Sequence, residues 1–405
     1  MKHLLKNNPE YFEKDKIELL KKKYKFSQGR HIEMLLWDYE ILSHLLEYSP
    51  EFILKGGGAA QVYLPENIQR ASRDIDIATT LSQEEIESAL NKIKEKFSLH
   101  VESEEHFSWV KKTIKDDKKK IEDLHVYTMI VPTKIDLAPN KKGFSYLKLD
   151  VIRYKNLPFK IKTIDNPIIF GLSFNPLKVI SEGSLIADKL LTLGDRTTGI
   201  LAVREKDIEG FFKQVYDLSK LMDNFILKEE VLEDLFNTLE KLTPIEAGYR
   251  GLDISLIDVL EDIEKSLENK LEFDFKTDEF SKEFKDRLNG FRSDYLNKEE
   301  NVSLSTWVSR LGKLKFITSI FIEKFRFNKD IKDVREKIEK AFEIEKTLKT
   351  LKGEKIKRVQ EILMKHHERE TQFYKSLKNS LPQRIFYSVI NLKNIEQIEK
   401  EVNEL

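Results

Sequence analysis

Three polar side chains at alternate positions, Ser72, Asp74 and Asp76, follow shortly after a run of three glycines. The segment around them is typical of a β-strand, in which alternate residues project to the same face. We therefore expect these three on one face and Ile75 and Ile77 on the core face. Two carboxylates at ~4 Å repel each other by roughly 4 kcal/mol at an effective dielectric constant of about 20. A divalent cation removes that repulsion, and Mg²⁺ is commonly bound by one or two carboxylates together with substrate phosphates.

The glycines at 56–58 supply the second half of a phosphate-binding site. Because glycine lacks a Cβ, backbone N–H groups can approach an anion there, and a helix that begins at the turn adds its dipole. The alternative is a surface hairpin with solvated aspartates, since aspartate is common near turns. Aspartate is depleted from strand interiors, however, and these two flank isoleucines. The pattern therefore favours a site for metal and phosphate.

The pattern GGG-AA…R-x-S-x-DIDI resembles the signature of the AbiEii/AbiGii-type nucleotidyltransferases, a branch of the DNA polymerase β-like superfamily. Relative to the family, residues 65–67 form an inserted turn that lengthens the stretch before the aspartates. The resemblance implies that the signature residues bind the triphosphate or the metal: Gly56, Gly57, Arg70 and Ser72 the nucleotide, Asp74 and Asp76 the metal.

Composition limits the other classes of function. Lys and Arg together number 70, as do Asp and Glu, so the net charge is zero and any polyanion site must be local. The chain has no cysteine, which excludes disulfides and thiolate metal sites and fits a reducing compartment. Residues 1–10 lack a signal-peptide core and no apolar run approaches ~18 residues, so we expect a cytoplasmic protein without a membrane span.

Apolar spacing predicts strands in the first half of the chain and helices from about residue 185 onward. The resemblance implies an α+β fold: a polymerase β-like nucleotidyltransferase domain with a small mixed sheet, followed by a large all-helical C-terminal domain. We predict a helical lead at 1–50, the nucleotidyltransferase domain at 51–222 and the helical domain at 223–405. The expected earlier elements are helices at 29–48, 58–63 and about 82–97, and strands at 52–54, 98–103, 124–132 and 145–154. Turns in the helical part are expected at Thr243-Pro244, 297–301, Gly353 and Pro382.

The resemblance to polymerase β-like sites implies a third carboxylate on a neighbouring strand, since nucleotidyl transfer needs a cation that spans the α-phosphate and the attacking hydroxyl. Asp150 lies in the middle of SYLKLDVIRY, whose leucines alternate with polar residues. Asp136, in KIDLAP, is the rival, but it borders a turn rich in Pro and Asn. We prefer Asp150, which would complete the metal site as a third ligand beside Asp74 and Asp76; the alternative is that it lies on the solvated face of an edge strand.

Two later segments resemble further motifs of the family. Lys189 lies among leucines, so its ammonium must reach an anion or extend to water, and the family's helix there carries a lysine that contacts phosphates. Lys213 and Asp217, in KQVYDL, are four residues apart and resemble a motif in which a basic residue precedes YDL. The alternatives are an ordinary ion pair between these two, worth ~0.3–0.5 kcal/mol when exposed, and Lys206-Asp207 as the functional pair.

The resemblance therefore implies an enzyme that transfers a nucleoside monophosphate from an NTP to an acceptor, with Mg²⁺ or Mn²⁺ as cofactor. Relatives are toxins of type IV-like toxin–antitoxin systems, and some resemble enzymes that extend tRNA 3′ ends. RNA is thus the favoured acceptor and a cognate antitoxin the expected partner. Two alternatives stay open: transfer to a protein or small molecule, and a binding protein with a degenerate site. The residues expected to act in catalysis are Asp74, Asp76, Asp150, Lys189 and Asp217, with Lys213 among those that bind the nucleotide.

Overall fold

The computed structural model describes residues 4–72, 74–98, 108–112, 123–135, 143–199, 208–271, 279–298, 300, 303–366 and 381–404. The chain forms two compact units. The first comprises Met1–Leu185 and Phe291–Glu300, and the second comprises Ile186–Gly290 and Asn301–Leu405. The three-part division at residues 50 and 222 stays a prediction.

A seven-stranded mixed sheet forms the centre of the first unit. Its strands, with a separate hairpin of β7 and β8, are β1 (Ile53–Lys55), β2 (Asp74–Thr79), β3 (Ser108–Lys112), β4 (Leu124–Pro132), β5 (Phe144–Arg153), β6 (Ile161–Ile164), β7 (Ile168–Ile169), β8 (Leu172–Ser173) and β9 (Leu177–Ile180). The strand order is β3-β4-β5-β2-β1-β9-β6. The β2–β5 and β1–β9 pairs are parallel, and the other neighbours are antiparallel. The expected α+β class with a mixed sheet is confirmed.

The helices surround this sheet or build the second unit. They are α1 (Lys14–Lys23), α2 (Gly29–Tyr48), α3 (Gly56–Tyr63), α4 (Gln83–Ser98), α5 (Glu182–Leu191), α6 (Ile208–Phe225), α7 (Glu229–Tyr249), α8 (Leu256–Leu271), α9 (Glu279–Tyr295), α10 (Leu304–Phe327), α11 (Ile331–Thr350), α12 (Glu354–Lys365), α13 (Pro382–Val389) and α14 (Ile395–Asn403). None of the helices described combines the length and apolar character that a membrane crossing requires.

Local sequence explains the elements that carry the site. Helix α2 has the bounds that its apolar spacing predicts, and it is buried along nearly its whole length against β2 and β9. Helix α4 begins with a capping box, in which the N–H of Ser82 donates to Glu85 Oε2 (2.7 Å) and the N–H of Glu85 donates to Ser82 Oγ (3.2 Å). Strand β5 alternates as expected, with Leu147, Leu149 and Val151 fully buried.

Some expected elements differ in the structure. The turn expected at Thr243-Pro244 is wrong, because α7 continues through Pro244 to Tyr249. The proline removes one N–H donor, but buried Leu242 and Ala247 anchor the helix on both sides of it. The helix expected at 58–63 begins at Gly56 instead. The strand expected at 98–103 lies almost wholly outside the described residues, and the sequence pattern does not predict the short strands β6 to β9.

Helix α10 is the central helix of the second unit. It packs against α6, α8, α11 and α13. Its apolar side chains recur at helical spacing and are buried, as expected for a core stripe: Trp307, Leu311, Leu314, Ile317 and Phe321. Gly312 allows α10 to pack closely against the backbone of α13. A Cβ at this position would lie 2.1 Å from the carbonyl oxygen of Tyr387.

Candidate active site

The acidic strand β2 lies near the middle of the sheet and shows the expected two faces. Ile75 and Ile77 are at most 1 % exposed, whereas Asp74 and Asp76, which alternate with them along the strand, are half-buried. The alternation follows from the two-residue period of a strand. Both carboxylates thus project from the face opposite the isoleucine core.

Asp150 lies beside this pair. In the parallel β2–β5 ladder the Cα of Asp76 is opposite that of Asp150, and the Cα of Asp74 is opposite that of Lys148. Residues in register on neighbouring strands project to the same face, so the three carboxylates share it with Lys148 and with Lys55, which lies opposite Asp76 on β1. Asp136, the rival third acid, lies outside the described residues.

Lys148 is a cation of this face that pairs with an acid of the site. Its Nζ donates to Asp150 Oδ2. Burial alone would lower the pKa of Lys148, but the carboxylates of Asp150, Asp74 and Asp76 outweigh that effect and raise it. The ammonium therefore stays charged and neutralises part of the negative face.

The glycine turn fits closely against the acidic strand. Gly56 has a φ of 65°, a conformation that favours glycine, and a Cβ there would lie only 2.0 Å from Asp76 Oδ2. Helix α3 begins at this residue. The start of the helix and the carboxylate of Asp76 are thus direct neighbours.

Arg70 and Ser72 gather at the same helix start. A Cβ on Gly57 would lie 2.9 Å from Arg70 Nη2 and 3.2 Å from Ser72 Oγ. The expectation that Ser72 belongs to the acidic strand is wrong, because β2 begins at Asp74 and the Ser72 hydroxyl donates to the carbonyl oxygen of Asp74 (3.5 Å). The hydroxyl is nevertheless close to the glycines, as a nucleotide-binding role requires.

Two buried amides hold the Arg70 backbone in place. The N–H of Arg70 donates to Gln61 Oε1 (2.7 Å), and Gln69 Nε2 donates to the carbonyl oxygen of Gln61 (2.9 Å). The same nitrogen lies 3.0 and 2.9 Å from the carbonyl oxygens of Leu64 and Ile168, so its two N–H groups are shared among three acceptors. Fully satisfied polar networks of this kind are rigid, so the segment that enters β2 has a fixed position relative to α3.

Asp38 on helix α2 is a residue of this region that the sequence reasoning missed. It is 2 % exposed. Burial, followed by the charges of Asp74 and Asp76, raises the pKa of its carboxyl well above the ordinary range. A signal was present, because Asp38 is three residues after Leu35 and four before Leu42, on the apolar stripe of the helix.

The later predicted residues lie in the second unit. Lys189 Nζ lies 2.8 Å from Asp217 Oδ2 and donates to Gln214 Oε1 (3.0 Å). The side chains of Lys189 and Asp217 are at most 1 % exposed, so the lysine reaches an anion rather than water. Lys213 Nζ lies 3.1 Å from Glu209 Oε1, one turn earlier on α6. Lys206 and Asp207 lie outside the described residues.

Within the described part of the chain, no group of three or more His, Cys, Asp or Glu side chains is arranged as a metal site. The oxygen donors of Asp74 and Asp76 nevertheless suit Mg²⁺, which is usually held by one or two carboxylates and completed by water and phosphate. The close fit of Gly56 against Asp76 leaves backbone N–H groups beside these donors. The donor chemistry therefore fits a magnesium-bound triphosphate.

Comparison with known proteins identifies a family for most of the chain. The model of a family described as nucleotidyl transferase AbiEii toxin, type IV toxin–antitoxin system, matches residues 40–310, more than half of the chain. No curated protein matches significantly. Among solved structures, JHP933 from Helicobacter pylori is 17% identical with a TM-score of 0.38, and the match covers 74% of this chain and 97% of that one. A Helicobacter pylori protein provisionally described as a nucleotidyltransferase is 17% identical with a TM-score of 0.37, over 73% of this chain and 96% of that one.

Proposed function

The chain belongs to the AbiEii family of nucleotidyl transferase toxins of type IV toxin–antitoxin systems, and from that premise we propose that it transfers a nucleoside monophosphate from an NTP to RNA. In this reaction a hydroxyl oxygen of the RNA forms a bond to the α-phosphorus. The bond from that phosphorus to the pyrophosphate oxygen breaks, and pyrophosphate leaves. The reaction takes place in the cytoplasm, where both substrates are present.

One observation carries the proposal: Asp74, Asp76 and Asp150 share a face of the sheet directly beside the glycine start of α3. Asp74 and Asp76 would hold Mg²⁺, or Mn²⁺ in its place, and the cation would polarise the phosphoryl oxygens. The N–H groups of Gly56 and Gly57 would donate to phosphate oxygens at the positive end of the helix dipole.

The remaining side chains have roles that follow from their positions. Asp150 would accept the proton of the acceptor hydroxyl, and Lys148 holds the Asp150 carboxylate in place. Ser72 and Arg70, which meet at Gly57, would bind the triphosphate. The predicted roles of Lys189, Asp217 and Lys213 stay predictions. In the structure the ammonium of Lys189 is buried and neutralised by Asp217.

The central test is Asp74→Ala. Loss of a metal ligand removes several kcal/mol of transition-state stabilisation, so turnover should fall by at least ~10³-fold. Turnover is measured as incorporation of labelled nucleotide into acceptor, with circular dichroism to verify the fold. Glu336→Gln, an exposed change on α11, is the control and should keep full activity. Normal turnover in the Asp74 variant would contradict the assignment.

The acceptor is identified by incubating the protein with each labelled NTP and either total RNA or total cell protein. We expect label in RNA, on the basis of the family's resemblance to tRNA-extending enzymes. If only protein is labelled, the acceptor is a protein hydroxyl and not RNA. If neither is labelled, a melting temperature that rises with Mg²⁺–NTP would indicate a binding protein, because ligand that binds only the native state must stabilise it.

A cognate antitoxin is the partner that we propose from family membership. Expression of the wild-type chain should arrest growth of a bacterial host, and expression of Asp74→Ala should not. A gene whose co-expression restores growth alongside the wild-type chain would encode the antitoxin. If the Asp74 variant arrests growth as strongly as the wild type does, toxicity does not depend on nucleotidyl transfer.

A further inference from the structure

Helix α2 carries three buried acidic residues, and two of them have clear structural roles. Glu33 is 1 % exposed, and its two carboxylate oxygens accept from successive backbone N–H groups after β4, at 2.6 and 3.0 Å. Glu40 is fully buried and accepts from the backbone N–H groups of Lys6 and Asn7, at 2.6 and 3.0 Å. Each of these carboxylates fixes a loop by satisfying donors that would otherwise be lost.

Asp38 is the third acidic residue and differs from both. It is 2 % exposed, and neither of its carboxylate oxygens has a hydrogen-bond partner among the described residues. Burying a carboxyl group without a partner costs several kcal/mol. Asp38 therefore does not fix a loop as Glu33 and Glu40 do, and its burial requires a different explanation.

The neighbourhood of Asp38 supplies one. Helix α2 packs against β2, and Asp74 and Asp76 are the charged residues that act on Asp38 most strongly. Lys148, a nearby cation, pairs with Asp150. A buried carboxyl group that is close enough to feel the charges of two carboxylates, and whose oxygens have no hydrogen-bond partner among the described residues, is suited to a positive ion or to the water bound to that ion.

We propose that Asp38 is a positioning residue for the divalent cation at Asp74 and Asp76, and accepts hydrogen bonds from the cation's bound water. This inference rests on the proposed function. Mg²⁺ keeps several of its waters when it binds to proteins, and carboxylates that hold such outer ligands contribute strongly to affinity. Asp38 would thus complete the cation's surroundings from helix α2, while strand β2 supplies the direct ligands.

The test is cation binding by the full-length protein without nucleotide, measured by calorimetry with Mg²⁺ and by the electron paramagnetic resonance signal of Mn²⁺. Asp38→Asn keeps the shape of the side chain and should fold, but it cannot carry the negative charge that a bound cation would favour. We expect it to weaken Mn²⁺ binding by about 10–100-fold, the usual effect of removing an outer-shell partner. The Mg²⁺ concentration that gives half-maximal activity should rise in parallel.

Glu40→Gln is the matched control, on the same helix and equally buried. It should lower the melting temperature, because its backbone donors lose charged acceptors, but leave Mn²⁺ affinity unchanged. Asp38→Ser is the second variant if Asp38→Asn does not fold, and the same loss of affinity is expected of it.

The outcomes separate this inference from the proposed function. If the wild type binds Mn²⁺, Asp74→Asn abolishes that binding and the Asp38 variants bind as the wild type does, then Asp38 is a structural neutral acid and the inference alone is overturned. If the wild type shows no binding that depends on Asp74, both the inference and the proposed metal-dependent function are overturned.

Discussion

Gly56 links the backbone conformation of the turn directly to the position of the Asp76 carboxylate. Its φ of 65° is unfavourable for other residues, and a Cβ would overlap Asp76 Oδ2. Gly56→Ala should lower the free energy of unfolding by about 1–3 kcal/mol from the backbone conformation alone. It should also displace Asp76 and reduce activity. Urea denaturation and nucleotide incorporation measure the two effects.

The control for that substitution is Gly290→Ala, in the interior of α9, where an added Cβ would meet nothing within 4 Å. An exposed helical glycine is destabilising relative to alanine, so this variant should gain about 0.5–1 kcal/mol. Equal stability of Gly56→Ala and the wild type would show that the turn tolerates a side chain and is not as tightly packed as described.

For single residues, the sequence predicts those positions that depend only on the alternation of a strand or on the missing Cβ of glycine. The opposite faces of Asp74 and Ile75 follow from the strand period alone. The position of Ser72 does not, because the start of β2 depends on pairing with β1 and β5. Asp38 could be recognised only as an acid on an apolar stripe, since its nearness to Asp74 and Asp76 arises from the packing of a helix on a sheet.

At the scale of elements, the ion pair of Lys189 and Asp217 joins α5 to α6 within the second unit. Removing one partner of a buried pair leaves an uncompensated charge, so Lys189→Met should cost about 3–5 kcal/mol. Lys189→Met combined with Asp217→Leu should recover most of that loss. Chemical denaturation of the single and double variants measures it. A cost below about 1 kcal/mol for Lys189→Met would contradict a structural role for the pair.

A second buried network joins α10 to α11 and makes stability depend on pH. Burial alone would raise the pKa of Glu345, but Lys313, 2.8 Å away, and Lys349 outweigh it and lower it. A carboxylate with a lowered pKa stabilises the fold above its ordinary pKa of 4.5, and that contribution is lost as pH falls through the lowered value. The stability gap between wild type and Glu345→Gln should therefore be largest near neutral pH and shrink below about pH 4.5.

Urea denaturation from pH 7 to pH 3 measures that gap. Glu336→Gln is again the control, on the same helix but 58% exposed, and should stay within about 0.5 kcal/mol of the wild type. A gap for Glu345→Gln that widens toward low pH would have the wrong sign and would contradict the assigned ion pair.

The sequence predicts a helix or strand correctly where its pattern of apolar residues is long, as in α2, β4 and β5. Pro244 shows the limit of a local rule, because the buried neighbours of α7 outweigh the helix-breaking tendency of one proline. The strands β6 and β9 are four residues long and carry too little pattern to be recognised before their pairing is known.

At the scale of the whole molecule, the family match ends at residue 310, inside α10. A chain that ends there lacks Ile317 and Phe321, whose side chains are buried in the second unit, together with the helices after α10. We expect such a chain to lose the cooperative unfolding of that unit, as measured by thermal circular dichroism at 222 nm and limited proteolysis. A cooperative melt with protected helices α6–α8 would contradict this.

Local patterns also cannot tell which unit a helix end belongs to. Residues Phe291–Glu300 belong to the first unit although the preceding part of α9 belongs to the second. The carbonyl oxygen of Tyr295 accepts from the N–H of Ala71 (3.0 Å), and its ring stacks on His31 with centroids 5.4 Å apart. These contacts arise between residues more than two hundred positions apart, where no sequence period can indicate them.

The pairing of β2 with β5 has a consequence for synthesis of the protein. Asp74 and Asp76 leave the ribosome well before Asp150, and β5 can lie beside β2 only after the intervening residues, which include β3 and β4, have been synthesised. Pairing over such a sequence distance is slow compared with local helix formation. A nascent or prematurely released fragment therefore carries an incomplete set of acids, and a host cell is exposed to the finished enzyme only once translation has passed the fifth strand.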